Sequence, residues 1–273
     1  MLSCIIVTCR TPNLLVSCVS ALLADLAGAE SAEIVVVDLS PDGSDGEELR
    51  RRLPSEGTHV MRMTNRGYGA ACNHAALSTS GDPILFLNAD VIVDRGALQA
   101  LLQAFDEVPD LGIVGFRMRE RERDPAPSRF LLPKSPGRML VNLARHPRPT
   151  RAHATALNLP VDGQGPLFAD WVLGAALACR RRAFLAVGGF DERFFLYFED
   201  VDLCRRVKTA GCKVAVMPTA TAYHVHGAST ALLPPGEAHR YRFQSQVRYF
   251  AKHHGALGWL AATLDRSCLR WRI

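Results

Sequence analysis

The chain has 273 residues, of which 48% are hydrophobic and 22% charged, with 21 glycines and 16 prolines. That length bounds it to one large or two small domains, and the composition excludes collagen-like, low-complexity and wholly disordered classes. The net charge of +5 is unevenly spread: from Arg117 to Arg151 there are ten Lys or Arg against three Glu or Asp, a local +7 that leaves the rest slightly acidic. Such a segment is either a solvated loop or faces an anion, whether phosphate, nucleic acid or a membrane surface. No run reaches the roughly 18 apolar residues of a membrane span. The opening MLSCIIVTCR lacks the basic start and cleavage site of a signal peptide, so a cytoplasmic protein is expected. Eight cysteines are scattered without a C-x-x-C pair, which predicts small buried hydrophobes rather than a zinc site or disulfide frame.

In chain order, residues 3–8 and 33–38 are short, β-branched and apolar throughout, as strands buried on both faces of a parallel sheet are. Between them Leu14, Leu15, Cys18, Val19, Leu22, Leu23 and Leu26 recur at helical spacing. A third strand is expected at 83–87, ending in Asn88-Ala89-Asp90, with a helix closing before it at 74–78, and another strand at 112–116. This alternation predicts a doubly wound α/β layer whose ligands bind beyond the carboxyl ends of the strands, where Asp38 and Asp90 sit. Residues 117–168, with eight prolines, break the rhythm and read as a basic, Pro-rich functional loop. Order returns with a short helix at 183–187, a helix at 201–210, a strand at 213–217 stopped by Pro218, and a helical stretch at 240–262. The expected division is 1–116, the loop 117–168, a second half 169–230 and a helical extension 231–273, with 2–230 forming one domain.

Several residue groups carry chemistry. Glu199-Asp200-Val201-Asp202 follows the aromatic run Phe194-Phe195-Leu196-Tyr197-Phe198 at a helix start. Such carboxylates serve either as helix caps or, in apolar surroundings, as a general base with raised pKa. Asp90 and one of the two imidazoles of His224 and His226 could complete a Mg2+ or Mn2+ site together with a nucleotide diphosphate. Asn65-Arg66-Gly67-Tyr68-Gly69 places glycines before a helix, where backbone N–H groups can approach a phosphate or ribose, without the spacing of a dinucleotide fold or a P-loop.

The order and spacing of these pieces resemble the family 2 glycosyltransferases with a GT-A fold, most closely the rhamnosyltransferase-like branch. The resemblance runs from Ser3 to about Thr230. It is carried most specifically by Gly188-Gly189-Phe190-Asp191-Glu192-Arg193-Phe194-Phe195, by Tyr197 through Arg206, and by Gly211, Pro218 and 224–230. It implies a Rossmann-like, mostly parallel sheet flanked by helices, with a C-terminal helical extension. It further implies inverting transfer of a sugar from a nucleotide diphosphate, possibly dTDP-rhamnose, to a hydroxyl acceptor. In that reading Asp200 is the general base, and Glu199 and Trp171 line the acceptor pocket. Thr8, Asp38, Asn65, Gly67, Asn88 and Asp90 bind the nucleotide sugar, and Asp90 with His224 holds the metal. Cys9-Arg10, Leu39 and Asn88 depart from the family pattern at the nucleobase and metal positions.

Three function classes fit: a sugar transferase, a basic nucleic-acid or membrane module, and a transferase fold kept without activity. The +7 segment lacks interleaved aromatics and no zinc finger or RNP-like motif occurs, so no nucleic-acid partner is expected. The basic, apolar-interleaved C-terminal stretch suits either packing on the core, over 240–254, or an interfacial helix on anionic lipid, over 257–273. The expectation is peripheral docking on the cytoplasmic membrane to meet a lipid-linked glycan acceptor in cell-envelope polysaccharide assembly. A soluble acceptor is the alternative, and oligomeric state is left open.

Overall fold

The computed structural model describes residues 1–27, 32–53, 58–121, 124–125, 129–131, 155–157, 165–225 and 230–264. Strand β1 (Leu2–Thr8) is buried along its whole length. It pairs in parallel with β2 (Ala32–Asp38) on one side and β4 (Ile84–Asn88) on the other, and β3 (Thr58–Arg62) continues the parallel order beyond β2. Past β4 the sheet becomes mixed. There β12 (Ala176–Cys179) is antiparallel to both β4 and β6 (Leu111–Arg121), β13 (Lys213–His224) runs parallel to β6, and β10 (Leu167–Phe168) pairs beyond it. The far end of β13 also pairs with β5 (Val91–Val93).

Strand alternation sorts β1 between two core layers. Leu2, Cys4 and Ile6 meet Leu15, Val19 and Leu22 of α1 (Pro12–Leu26) and Leu98 and Leu101 of α4 (Ala97–Glu107). Ile5 and Val7 point the other way, into a layer with Ala71 and Cys72 of α3 (Tyr68–Leu77), Phe184 of α5 (Arg181–Ala186) and Leu203 of α6 (Glu199–Thr209). Helix α1 starts with Pro12, whose missing N–H costs nothing in a first turn. A third cluster joins Phe194 and Val201 to Tyr249, Phe250, Ala261 and Ala262 of α7 (Glu237–Leu264).

Four expectations are corrected. Strand β3 and helix α2 (Ser44–Arg52) were not anticipated, because β3 is half-exposed and polar and α2 is strongly charged, so neither has an apolar run. Strand β6 runs on to Arg121, and 129–131 pairs with 155–157 and with β11 (Trp171–Val172) in a small antiparallel sheet. The segment 117–168 therefore contains strands, although most of its charges lie outside the described residues. Pro218 does not end β13. The register against β6 shifts between Met217 and Thr221, and such an irregularity is where a strand tolerates a residue without an N–H. Finally, the last helix begins at Glu237 and breaks at Gly255, whose φ of 63° and ψ of −151° are non-helical. Ser245, Gln246, Tyr249 and Phe250 are buried, so 240–254 packs on the core. Beyond the break Ala261 and Ala262 return to the same cluster. The seven described cysteines are free thiols.

Candidate active site

The order β2-β1-β4 puts a crevice at the carboxyl ends of these strands. Thr8 and Asp38 end β1 and β2, both buried to 1% exposure, and both spend their hydrogen bonds on the loops around them. Thr8 Oγ1 donates to Asp45 Oδ2 at 2.5 Å, and Thr11 N–H donates to the same oxygen at 2.8 Å. Asp38 Oδ1 accepts from Ser40 N–H at 2.8 Å and Oδ2 from Gly46 N–H at 2.9 Å. These two residues shape the rim by bracing the β1 and β2 exits onto α2.

Asn65 is exposed and its Oδ1 accepts from Gly67 N–H at 3.0 Å. Gly67 has φ +103°, and a Cβ there would lie 2.6 Å from the carbonyl oxygen of Phe195, so only glycine lets the start of α3 touch the aromatic loop. Tyr68 extends the tie: its N–H donates to Phe195 O at 3.2 Å and its hydroxyl to Gly174 O at 3.0 Å.

Asn88 ends β4, its N–H donating to Ala175 O at 2.9 Å. Two residues on, Asp90 meets His224. The pairing of β5 with β13 sets His224 opposite Val91, and this register brings His224 Nε2 to 3.1 Å from Asp90 Oδ1. Residues 134 apart in sequence thus form one buried pair. His226 lies outside the described residues.

On the opposite wall, Glu199 and Asp200 open α6. The two residues before them, Tyr197 and Phe198, have φ of 68° and 67°, a left-handed backbone that costs non-glycine residues energy and is found where a site over-determines it. Asp200 Oδ2 accepts from Gly174 N–H at 2.8 Å and Oδ1 from Val201 N–H at 2.8 Å. A Cβ on Gly174 would lie 2.8 Å from that of Asp200. Glu199 is buried, and its Oε2 has no hydrogen-bond partner among the described residues. Burial pushes the Glu199 carboxyl up to about 8, with the neighbouring Asp200 adding to the rise. Burial also raises Asp200, but the N–H groups of Gly174 and Val201 and the charge of Arg242 work against it. Neighbouring carboxylates shielded from water disfavour holding two negative charges. The N–H donors favour the ionised form at Asp200, whereas burial favours the protonated form at Glu199. Trp171, in β11, is half-buried and packs toward both the α6 layer and the α7 cluster.

Asp202 has a different fate from its two neighbours. It is fully buried and accepts from Arg206 Nε at 2.7 Å, Lys252 Nζ at 2.6 Å and His253 Nε2 at 2.7 Å. Burial alone would raise its pKa, yet His253, Lys252 and Arg206 outweigh that and hold it below the usual carboxylate range. Asp191, bonded to Arg193 and Lys252, is likewise held low. Lys252 is therefore a counter-ion to Asp202 and Asp191 at the edge of the fold.

Sequence reasoning assigned no role to Gly174 or His253, took Tyr68 only as part of the glycine segment, and counted Lys252 among the basic residues of the C-terminal helix. A glycine just before an apolar strand marks close backbone approach, and that signal was available at Gly174. The partners of Lys252 and His253 lie about fifty residues away and left no local trace.

The model for Glycosyl transferase family 2 matches residues 3–162, and that for Glycosyltransferase like family 2 matches residues 167–261. The chain is 30% identical over 271 residues to an N-acetylglucosaminyl-diphospho-decaprenol L-rhamnosyltransferase of Mycobacterium tuberculosis, covering 93% of this chain and 80% of that one. Its fold is similar to a mannosyltransferase from Pyrobaculum calidifontis solved with GDP-Man and Mn2+, with a TM-score of 0.61 and 16% identity over 100% of this chain and 76% of the other. It is also similar to GalNAc-T7 solved with UDP, GalNAc and Mn2+, with a TM-score of 0.61 and 15% identity over 82% of this chain and 43% of that one. The two structural likenesses establish the GT-A fold, and the family matches together span both walls of the crevice: the chain belongs to glycosyltransferase family 2.

Proposed function

We propose that the enzyme transfers a sugar, in the first instance L-rhamnose from dTDP-rhamnose, with inversion onto a lipid-linked N-acetylglucosaminyl diphosphate during cell-envelope polysaccharide assembly. The observation that supports this is Asp200 at the start of α6, held by the N–H groups of Gly174 and Val201, together with the buried Asp90–His224 pair at the ends of β4 and β13. The sugar and acceptor follow the printed name of the mycobacterial relative.

Asp90 and His224 offer one carboxylate oxygen and one imidazole nitrogen 3.1 Å apart, and no group of three or more His, Cys, Asp or Glu able to hold a metal occurs among the described residues. Two protein ligands fit a Mg2+ or Mn2+ ion that fills its shell with diphosphate oxygens and water, and do not fit a closed zinc site. When bound, such a cation would neutralise the charge developing on the leaving diphosphate. Asp200 takes the proton of the acceptor hydroxyl as that oxygen bonds to the anomeric carbon and the bond to the diphosphate breaks. Glu199, protonated, can hydrogen-bond the acceptor without adding a second negative charge. Asn65, Gly67 and Asn88 line the donor side, and Thr8 and Asp38 hold its floor through the loops they brace.

The test is a transfer assay with dTDP-, UDP- and GDP-sugars, using a polyprenyl-diphosphate N-acetylglucosamine as acceptor. Transfer should be abolished by EDTA and restored by Mg2+ or Mn2+. Asp90→Ala and His224→Ala should each weaken donor binding, because a diphosphate without its cation repels the remaining carboxylates. Activity unchanged by EDTA would reject the metal assignment.

Membrane docking belongs to the same reading. No helix among the described residues is long and apolar enough to cross a membrane. Past the break at Gly255, however, Leu257, Trp259 and Leu260 are exposed to 71%, 51% and 48%, and the sequence that follows carries Arg266, Arg270 and Arg272 among Leu269, Trp271 and Ile273. Such a face suits an anionic bilayer surface. The full chain should co-sediment with anionic vesicles, less so as salt rises, and the Leu257→Glu/Trp259→Glu double variant should remain in the supernatant. Equal pelleting of the two proteins would remove the docking role from this face.

A further inference from the structure

Asp200 owes one of its two N–H donors to a turn that is weakly closed by itself. The turn Leu173–Ala176 links β11 to β12, and its own hydrogen bond, from Ala176 N–H to Leu173 O, is long at 3.4 Å. Its two central carbonyls are taken from outside instead. Ala175 O accepts from Asn88 N–H at 2.9 Å, and Gly174 O accepts from the Tyr68 hydroxyl at 3.0 Å. On its other side Gly174 donates its N–H to Asp200 Oδ2 at 2.8 Å. Tyr68, Gly174 and Asp200 thus form one line of hydrogen bonds, and its Tyr68 end is firmly set. The Tyr68 ring meets that of Phe190 edge-on with centroids 6.0 Å apart, and its backbone N–H donates to Phe195 O at 3.2 Å. Cys72, one turn along α3, hydrogen-bonds the same hydroxyl. The fold does not need this line to hold β12, which is paired with β4 and β6 along its length. What the hydroxyl adds is the orientation of Gly174.

We propose that Tyr68 is a positioning residue for sugar transfer, its hydroxyl fixing Gly174 so that the Gly174 N–H aims the Asp200 carboxylate at the acceptor hydroxyl. This rests on the reading of Asp200 as the base. An N–H donor favours the ionised carboxylate, so a loosened Gly174 leaves Asp200 both less well aimed and more easily protonated. The titratable and charged groups around the Glu199–Asp200 pair are Cys204 on α6, Tyr68 and Cys72 on α3 and Arg242 on α7. Burial pushes the Tyr68 hydroxyl well above its ordinary range, so removing it changes no charge near neutral pH.

Tyr68→Phe deletes the hydroxyl and keeps the ring. In the transfer assay above, with a dTDP-sugar and polyprenyl-diphosphate N-acetylglucosamine, kcat should fall roughly ten-fold, inside the ~100-fold that a small misplacement costs. KM for both substrates should stay within about three-fold, and the acid limb of the kcat profile should move to higher pH. Because Tyr68 acts through Asp200, adding Tyr68→Phe to Asp200→Asn should cost nothing further. Thermal melting of the variants verifies that they fold. The same loss repeated in the Asp200→Asn background, a raised KM with unchanged kcat, or wild-type turnover with an unmoved pH profile would each overturn the positioning role. If Asp200→Asn alone turns over normally, it is the base that is misassigned, and the inference falls with it.

Discussion

Replacing Asp200 by Asn is expected to lower turnover by roughly 100-fold or more while donor affinity is kept, the usual worth of a positioned proton acceptor. The companion substitution Glu199→Gln should cost only a few-fold near neutral pH, because Gln resembles the protonated form that burial imposes on Glu199 there. The asymmetry between two adjacent carboxylates is the point: Asp200 has the N–H donors of Gly174 and Val201, and Glu199 has an oxygen without a partner among the described residues. The pH profiles should differ as well. Wild type should change activity near pH 8 as Glu199 ionises, and Glu199→Gln should lose that alkaline event. Stability follows with a definite sign. A carboxyl whose folded pKa is raised binds more protons folded than unfolded, so its contribution is intact at acid pH and lost as pH climbs toward about 8. Glu199→Gln should therefore melt higher than wild type by a margin that is larger at pH 9 than at pH 5. Near-normal turnover of Asp200→Asn would move the base elsewhere, with Glu199 first in line.

The largest effect on stability is expected at Asp202. Converting it to Ala removes a fully buried anion from between the partly exposed Arg206, Lys252 and His253, a loss of about 3 kcal/mol, the low end for breaking a buried ion pair because its partners can still reach water. For a chain of this size that corresponds to a melting temperature about 10 °C lower. Asp202→Asn, which keeps the volume and some hydrogen bonds, should fall between the two. Because the folded pKa of Asp202 is lowered, its stabilisation is present above the unfolded value of about 3.9 and lost as pH falls through the lower folded one. The deficit of Asp202→Ala should accordingly shrink in strong acid. Turnover should drop too, since the cluster docks α7 on the helix that carries Asp200. A variant that melts like wild type would deny the cluster its structural role.

What was legible in the sequence divides along physical lines. Strands β1, β2, β4 and β6 and helices α1 and α6 are signalled by apolar runs or helical spacing within a dozen residues, or by a recognisable motif. So are Asp90 and His224, each at a strand end, although only the antiparallel register of β5 with β13 shows that they touch. Strand β3 was missed because an exposed edge needs no apolar run. Strand β13 was cut short because proline usually ends a ladder, and here a register shift absorbs it. Apart from the resemblance, which singles out Asp200, the Glu199-Asp200-Asp202 cluster reads as three similar acids in one dimension. Their separation into a carboxyl raised by burial, one supplied with N–H donors and a structural anion depends on Gly174, Lys252 and His253, which reach them only through tertiary packing.

The docking of α7 also has a consequence in time. Asp202 and its partner Lys252 are 50 positions apart, and Phe194 and Val201 are covered by Tyr249, Phe250, Ala261 and Ala262 from the last helix described. During synthesis at about 5–20 residues per second, the segment bearing Asp200 precedes its cover by several seconds. Through that interval its acids lack their counter-ions and its aromatic face is open to water, an obvious target for a chaperone. The setting of Asp200 is therefore complete only after α7 has been made and has packed on α6.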